Sequence, residues 1–201
     1  MKKNKIFIII SFIAFLIFLI LYLTNKINYI DESIYKVIMY FESTFTTKIM
    51  KIFTFFGSVE FVILFIFVLL LLSIFKGKLP IFLVFAIAGE SFLNYIIKII
   101  IRRERPNILR LVFEDSYSFP SGHTMASVVI FGLLIILVLK SKLNNKLKII
   151  ISILLGIIPI LVMVSRIYLG VHYFSDVIAG MFLSLSYLLI IIEIYERKKI
   201  L

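Results

Sequence analysis

Charged residues are missing from residues 6–23 and again from 61–72, where Ile, Leu, Phe and Val follow one another almost without interruption. Apolar runs of about 20 residues match the ~30 Å hydrocarbon core of a bilayer at 1.5 Å rise per residue. Applied along the chain, this rule predicts six membrane-spanning helices, over about residues 6–23, 52–75, 80–101, 121–139, 149–168 and 172–194. Buried core helices are a poor alternative, because a chain of 201 residues cannot place so many of them at its centre. The first run exceeds the apolar part of a signal peptide and no small-residue cleavage site follows it, so it is expected to be a span. Residues 25–50 read differently. Asp31, Glu32, Lys36 and Glu42 alternate there with Tyr, Ile and Phe, which predicts an interfacial amphipathic helix with its connections. Pro159 is expected to kink the fifth span. With no internal repeat or linker, the expected fold is all-α: one domain over 1–201, a bundle of six transmembrane helices with an interfacial helix between the first two.

Composition agrees. Hydrophobic residues make up 62% of the chain and charged residues 16%, against about half and a quarter in an ordinary soluble domain. The net charge of +11 would suggest nucleic acid in a soluble protein, but here the basic residues sit between apolar runs, where topology and anionic headgroups require them. Nucleic acid is therefore not an expected partner; membrane lipids are. With no cysteine, disulfides and thiolate metal sites are excluded. If both termini are cytoplasmic, twelve of the 22 Lys and Arg residues fall inside. Of the other ten, Arg102, Arg103, Arg105, Arg110 and Arg166 crowd into two outer loops, with Lys98 at the adjoining helix end. Positive charge placed against the topology rule needs a reason, and a phosphate site facing the outer side supplies one.

Three clusters carry chemistry: Lys98, six residues, then Arg105-Pro106; Pro120-Ser121-Gly122-His123; and Ser165-Arg166, five residues, His172, three residues, then Asp176. Two membrane crossings separate the loops that hold them, so both loops emerge on one face. Lys98 and Arg105, seven apart, are expected on one side of a helix end, and the proline after Arg105 should end the span near there. Taken alone they would read as snorkelling anchors. Ser121-Gly122-His123 opens an apolar helix, whose first N–H groups are unpaired and carry the positive end of the dipole. A Ser N-cap explains Ser121 but not His123. His172 and Asp176, four apart, share a face if both are helical, so the carboxylate can hold the imidazole in one tautomer. A core histidine beside an acid is the plainer reading, but the chain has only two histidines and both fall in these arginine-bearing loops.

These residues resemble the type 2 phosphatidic acid phosphatase superfamily (PAP2), a family that includes bacterial membrane lipid phosphatases, whose motifs are K-x6-RP, PSGH and SR-x5-H-x3-D. All eleven specified positions match in order and spacing, and the resemblance covers roughly residues 50–195. It implies hydrolysis of a lipid phosphate or pyrophosphate, with undecaprenyl pyrophosphate and phosphatidylglycerophosphate as the expected substrates. By resemblance His172 is the nucleophile forming a phosphohistidine, Asp176 orients it, and His123 is the general acid and then base. Phosphoryl transfer is mostly positioning and charge neutralisation, so Lys98, Arg105 and Arg166 would clamp the phosphate oxygens with help from Ser121 and the Gly122 N–H. No metal and no other cofactor is expected, since these cations do the neutralising and Glu114 with Asp115 read as solvated loop residues. Nothing in the pattern implies an obligate protein partner.

Other readings stay open at this point. The same phosphohistidine serves a lipid phosphotransferase, and a transporter or silent lipid-binding scaffold shares the architecture without needing a nucleophile. The related vanadate haloperoxidases are soluble, which six spans argue against. Glu90, Asn94 and Lys98 form a polar i, i+4 stripe on the third span, with pairing to Lys98, shaping of a headgroup pocket and bundle packing all open. Glu60 marks either a misplaced boundary or a polar contact inside the bundle.

Overall fold

The computed structural model describes residues 2–107 and 110–197; the basic residues Lys198 and Lys199 of the expected cytoplasmic tail lie outside them. Among the described residues the chain forms eight α-helices and no strand: α1 (Lys2–Leu23), α2 (Asn28–Met39), α3 (Thr44–Phe55), α4 (Val59–Lys76), α5 (Lys78–Ile101), α6 (Gly122–Lys140), α7 (Asn145–Tyr168) and α8 (Phe174–Arg197). Six stretches are long and apolar enough to cross a membrane, with α3 and α4 counted together as Thr44–Phe75. The protein is an all-helical membrane protein.

α6 stands at the centre, between α5, α7 and α8. Every residue from Thr124 through Phe131 is buried, so the helix is covered all round. Leu83 and Ile87 of α5, Val129 and Ile130 of α6, and Leu188 and Ile192 of α8 make the main apolar core. α6 and α8 approach closely at Gly132, where an added Cβ would lie 2.3 Å from Leu188 Cδ2. α1 packs along α8 at the edge of the bundle. Phe67 and Ile74 of α4 and Ile153 and Ile160 of α7 point outward and are more than half exposed. Apolar side chains in that number on the outside suit hydrocarbon rather than water. α7 continues through Pro159 as one helix.

Two expected elements are corrected. The single amphipathic helix of residues 25–50 is two helices, α2 and α3, separated by a turn before Ser43, whose hydroxyl caps α3 by accepting from Thr46 N–H at 3.0 Å. The second expected span is not one continuous helix: Phe56-Gly57-Ser58 break it, and Ser58 caps α4, which starts at Val59. Gly57 is required there: a Cβ would stand 2.5 Å from the backbone oxygen of His123. Glu60 thus falls in the exposed first turn of α4, where a carboxylate suits the helix dipole, and makes no buried contact inside the bundle.

The chain runs so that the C-terminal ends of α5 and α7 and the N-terminal ends of α6 and α8 meet at one end of the bundle. Every motif residue lies there.

Candidate active site

Asp176 in the first turn of α8 is fully buried and is the fixed point of the site. Its Oδ2 accepts the Tyr173 N–H at 3.0 Å and faces His172 Nδ1 at 3.3 Å. His172 is not helical, contrary to expectation: α8 begins at Phe174, and the histidine occupies the turn after α7. The pairing survives because a carboxylate in a first helical turn reaches back over the residues just before it. The other ring nitrogen, Nε2, meets Arg105 Nη1 at 3.3 Å. Arginine nitrogens only donate, so Nε2 is the acceptor and the proton sits on Nδ1 facing Asp176. Nε2 therefore carries the ring's basic lone pair, which accepts from Arg105. Burial, with Arg105 and Arg166 nearby, holds His172 well below the ordinary histidine value, so the ring is neutral at neutral pH.

Arg105 reaches this place from a loop. α5 ends at Ile101, and Arg102 adopts a left-handed conformation with φ 52°. Lys98 and Arg105 are thus not on a shared helical face, as the sequence suggested, but both line one cavity. Arg105 is fixed by Ser116 O at 2.6 Å, Ser116 Oγ at 3.0 Å and Val171 O at 2.8 Å. Lys98 Nζ donates to Tyr117 O, tying the 102–121 loop to the end of α5.

Arg166, near the end of α7, is buried; its Nη1 donates to Thr54 Oγ1 of α3 at 2.7 Å and its Nη2 to Glu114. Its Nε has no partner among the described residues, a buried donor that an anion would satisfy. Glu114 also stands 3.7 Å from Arg105 Nη2 and 3.9 Å from His123 Nε2. It is a loop carboxylate among the site's cations, not the solvated residue expected. His123, in the first turn of α6, opens with His172 onto a cavity of about 530 Å³. Ser121 is the N-cap of α6: its Oγ is taken by Thr124 at 3.0 Å and its N–H by Asp176 O at 3.1 Å, so it holds the turn in place rather than facing the cavity. The N–H groups of Gly122 and His123 remain, the usual orphans of a helix start.

The geometry is thus a cavity lined by Lys98 and Arg105, with His172 and His123 both opening onto it. The family model of the PAP2 superfamily matches residues 79–200, which span all three motif clusters. The chain belongs to the PAP2 superfamily. Among PAP2 relatives, phosphatidylglycerophosphatase B of Bacillus subtilis (strain 168) is 32% identical over 192 residues, 93% of each chain. The crystal structure of a transmembrane PAP2-type phosphatidylglycerolphosphate phosphatase from Bacillus subtilis superposes with a TM-score of 0.87 at 29% identity, covering 94% of this chain and 96% of that one. That of LpxE from Aquifex aeolicus gives 0.64 at 25% identity, over 80% of this chain and 93% of that one.

Behind the PAP2 motif residues lies a support that sequence reasoning missed. Arg103 Nη1 donates to Asp176 Oδ1 at 2.6 Å and Nη2 to Asp31 Oδ2 at 2.9 Å. Its guanidinium lies between the rings of Tyr22 and Tyr173, 4.4 and 3.9 Å from their centroids. Asp31 is the buried residue of α2 and also accepts the Ser175 N–H at 2.8 Å and hydroxyl at 2.7 Å. The α2 helix is therefore pinned to the N-terminal end of α8 by a buried ion-pair chain. The alternation of Asp31 with apolar neighbours gave no sign of this, because an interfacial helix and a docked one share that pattern.

Proposed function

We propose that this membrane protein is a lipid phosphatase that removes the terminal phosphate of a lipid phosphate or pyrophosphate through a phosphohistidine on His172. One observation carries the reading: a neutral histidine, oriented by a buried carboxylate, shares one cavity with Lys98, Arg105 and His123, and its Nε2 meets Arg105.

The reaction runs in two steps. In the first, Nε2 of His172 attacks phosphorus, the bond to the lipid oxygen breaks, and His123 gives that oxygen a proton. Asp176 stabilises the charge that develops on the ring. In the second, His123 takes a proton from water as the water attacks phosphorus, the P–N bond breaks, and inorganic phosphate leaves. Arg105, Arg166, Lys98 and the Gly122 N–H neutralise the equatorial oxygens. The neutralising work is assigned to these cations. Membership of the PAP2 superfamily and likeness to phosphatidylglycerophosphatase B support phosphatidylglycerophosphate as a substrate. Undecaprenyl pyrophosphate is the second candidate, and it goes with a site on the outer side and both termini in the cytoplasm, the orientation that sets twelve of the 22 Lys and Arg residues inside.

The test is phosphate release by purified protein in detergent with EDTA present, for wild type and His172→Ala on both lipids. Release that persists in EDTA and drops roughly a thousandfold or more in the variant is expected. Undiminished release by His172→Ala, or release abolished by EDTA, overturns the reading.

A further inference from the structure

The cavity beside the histidines extends below the phosphate seat. It runs between α4 and α5, with Val62, Ile63 and Ile66 on one wall and Ala88 and Tyr95 on the other. One charged residue type interrupts that apolar lining. Glu90 lines the cavity, is 1% exposed, and its Oε1 has no hydrogen-bond partner; its Oε2 meets only Ser91 Oγ, at 3.5 Å. Among the described residues no cation lies within ion-pair distance of it. An unpartnered buried carboxyl in hydrocarbon surroundings is costly, and where it borders a cavity the missing partner is to be sought in the occupant.

Depth identifies that occupant. Asn94 Nδ2 donates to Pro120 O at 3.2 Å, and a Cβ built on Gly122 would lie 3.0 Å from Asn94 Oδ1, so Asn94 marks the height of the phosphate-binding turn on α5. Glu90 comes four residues earlier, one turn or about 6 Å deeper into the bundle. A lipid with its scissile phosphate on Arg105, Arg166 and His172 places its next chemical unit at that depth. In a glycerophospholipid monoester the unit is glycerol, with a hydroxyl that donates to a carboxyl or ester oxygens that accept from one. In a polyprenyl pyrophosphate it is a second phosphate, which the Lys98 and Arg105 cations of the same cavity draw away from that depth, and then bare hydrocarbon, which leaves Glu90 unpartnered. Resting on the phosphatase reading above, we infer that Glu90 is a specificity-determining residue that hydrogen-bonds the glycerol unit next to the scissile phosphate, so that glycerophospholipid monoesters rather than polyprenyl pyrophosphates are the substrate class of this site.

The experiment measures kcat/KM of wild type, Glu90→Gln and Glu90→Leu in detergent on phosphatidylglycerophosphate, phosphatidic acid and a polyprenyl pyrophosphate. Wild type is expected to prefer the glycerolipids. Glu90→Leu should lower the ratio of glycerolipid to polyprenyl turnover by roughly tenfold or more, the effect of a specific hydrogen bond left unmade. The isosteric Gln variant should restore part of that ratio. Selective loss on phosphatidylglycerophosphate alone assigns the contact to a hydroxyl, and equal loss on phosphatidic acid assigns it to an ester oxygen. A structural role moves all three lipids together, so unchanged ratios in both variants overturn the inference. Wild type inactive on every lipid would instead sink the phosphatase reading itself.

Discussion

Replacing Asp31 by Asn removes one charge from a buried chain that begins on α2 and ends at the His172 ring. Asp31 accepts three hydrogen bonds, from Ser175 N–H at 2.8 Å, Ser175 Oγ at 2.7 Å and Arg103 Nη2 at 2.9 Å. Asn keeps one acceptor oxygen. If that oxygen stays on the Ser175 N–H, the new NH₂ faces the Arg103 donor, and the charge-assisted bond is lost. Such bonds contribute about 1.5–3 kcal/mol each, and with the weakened hydroxyl contact the cost is about 2–4 kcal/mol. For a chain of this size, at about 2–4 °C per kcal/mol, the melting midpoint should fall by about 5–15 °C. Arg103 then holds Asp176 from one side less firmly, and a small misplacement of His172 should lower kcat by about tenfold or more. Asp31 touches no substrate, so KM should hold. Thermal unfolding in detergent and steady-state kinetics on one lipid phosphate read both effects. Arg103→Lys keeps a positive charge but loses the planar fork joining Asp31 to Asp176 and the stack between Tyr22 and Tyr173, so it should not behave as wild type. Wild-type melting and kcat in Asp31→Asn would refute the claim that α2 supports Asp176.

Three further outcomes are expected. Glu114 sits among the cations that a phosphate would meet, so Glu114→Gln should let inorganic phosphate inhibit at roughly tenfold lower concentration, the equivalent of about 1.4 kcal/mol; an unchanged inhibition constant counts against a shared seat. Gly57→Ala places a Cβ 2.5 Å from the His123 backbone oxygen, and should cost about 1–3 kcal/mol of stability together with activity, read by melting and kcat. His172 is depressed below the ordinary value of 6.5 by burial first and by Arg105 and Arg166 next. A depressed histidine gives stability that is complete above 6.5 and lost as pH falls toward its folded value, and the same protonation removes the nucleophile. The acid limb of kcat/KM should therefore lie below pH 6.5 in wild type and move upward in Arg105→Met, where a repelling charge is gone; a limb that stays put contradicts the assignment.

The membrane spans were legible because bilayer thickness imposes a length and polarity rule that does not depend on packing. The gathering of Lys98, Arg105, His123, Arg166 and His172 at one end was legible for a related reason: they are polar groups at the ends of apolar runs, and an even number of crossings forces their loops to one face. Helical spacing misled twice. Lys98 and Arg105 were placed on one helix side, but Arg102 ends α5 in a left-handed turn and the loop delivers Arg105. His172 was placed on a helix with Asp176, yet their contact is made across the start of α8. Arg103, Asp31 and Glu114 were missed as site residues because their roles depend on long-range meetings, separated by 72 residues for Asp31 with Arg103 and 52 for Glu114 with Arg166. No local pattern encodes those meetings. The break at Phe56-Gly57-Ser58 did leave a sign, a Gly-Ser pair before a renewed apolar run, which hydropathy averaged away.

The most direct test of the central claim is a trapped phosphoenzyme. Purified protein mixed with a lipid phosphate in EDTA, quenched within the first turnover under alkaline conditions and digested, is examined by mass spectrometry for phosphohistidine. The account predicts phosphate on the peptide bearing His172, absent in His172→Ala and still formed in Glu114→Gln. Phosphate on His123 or elsewhere, or steady turnover by His172→Ala, would contradict it.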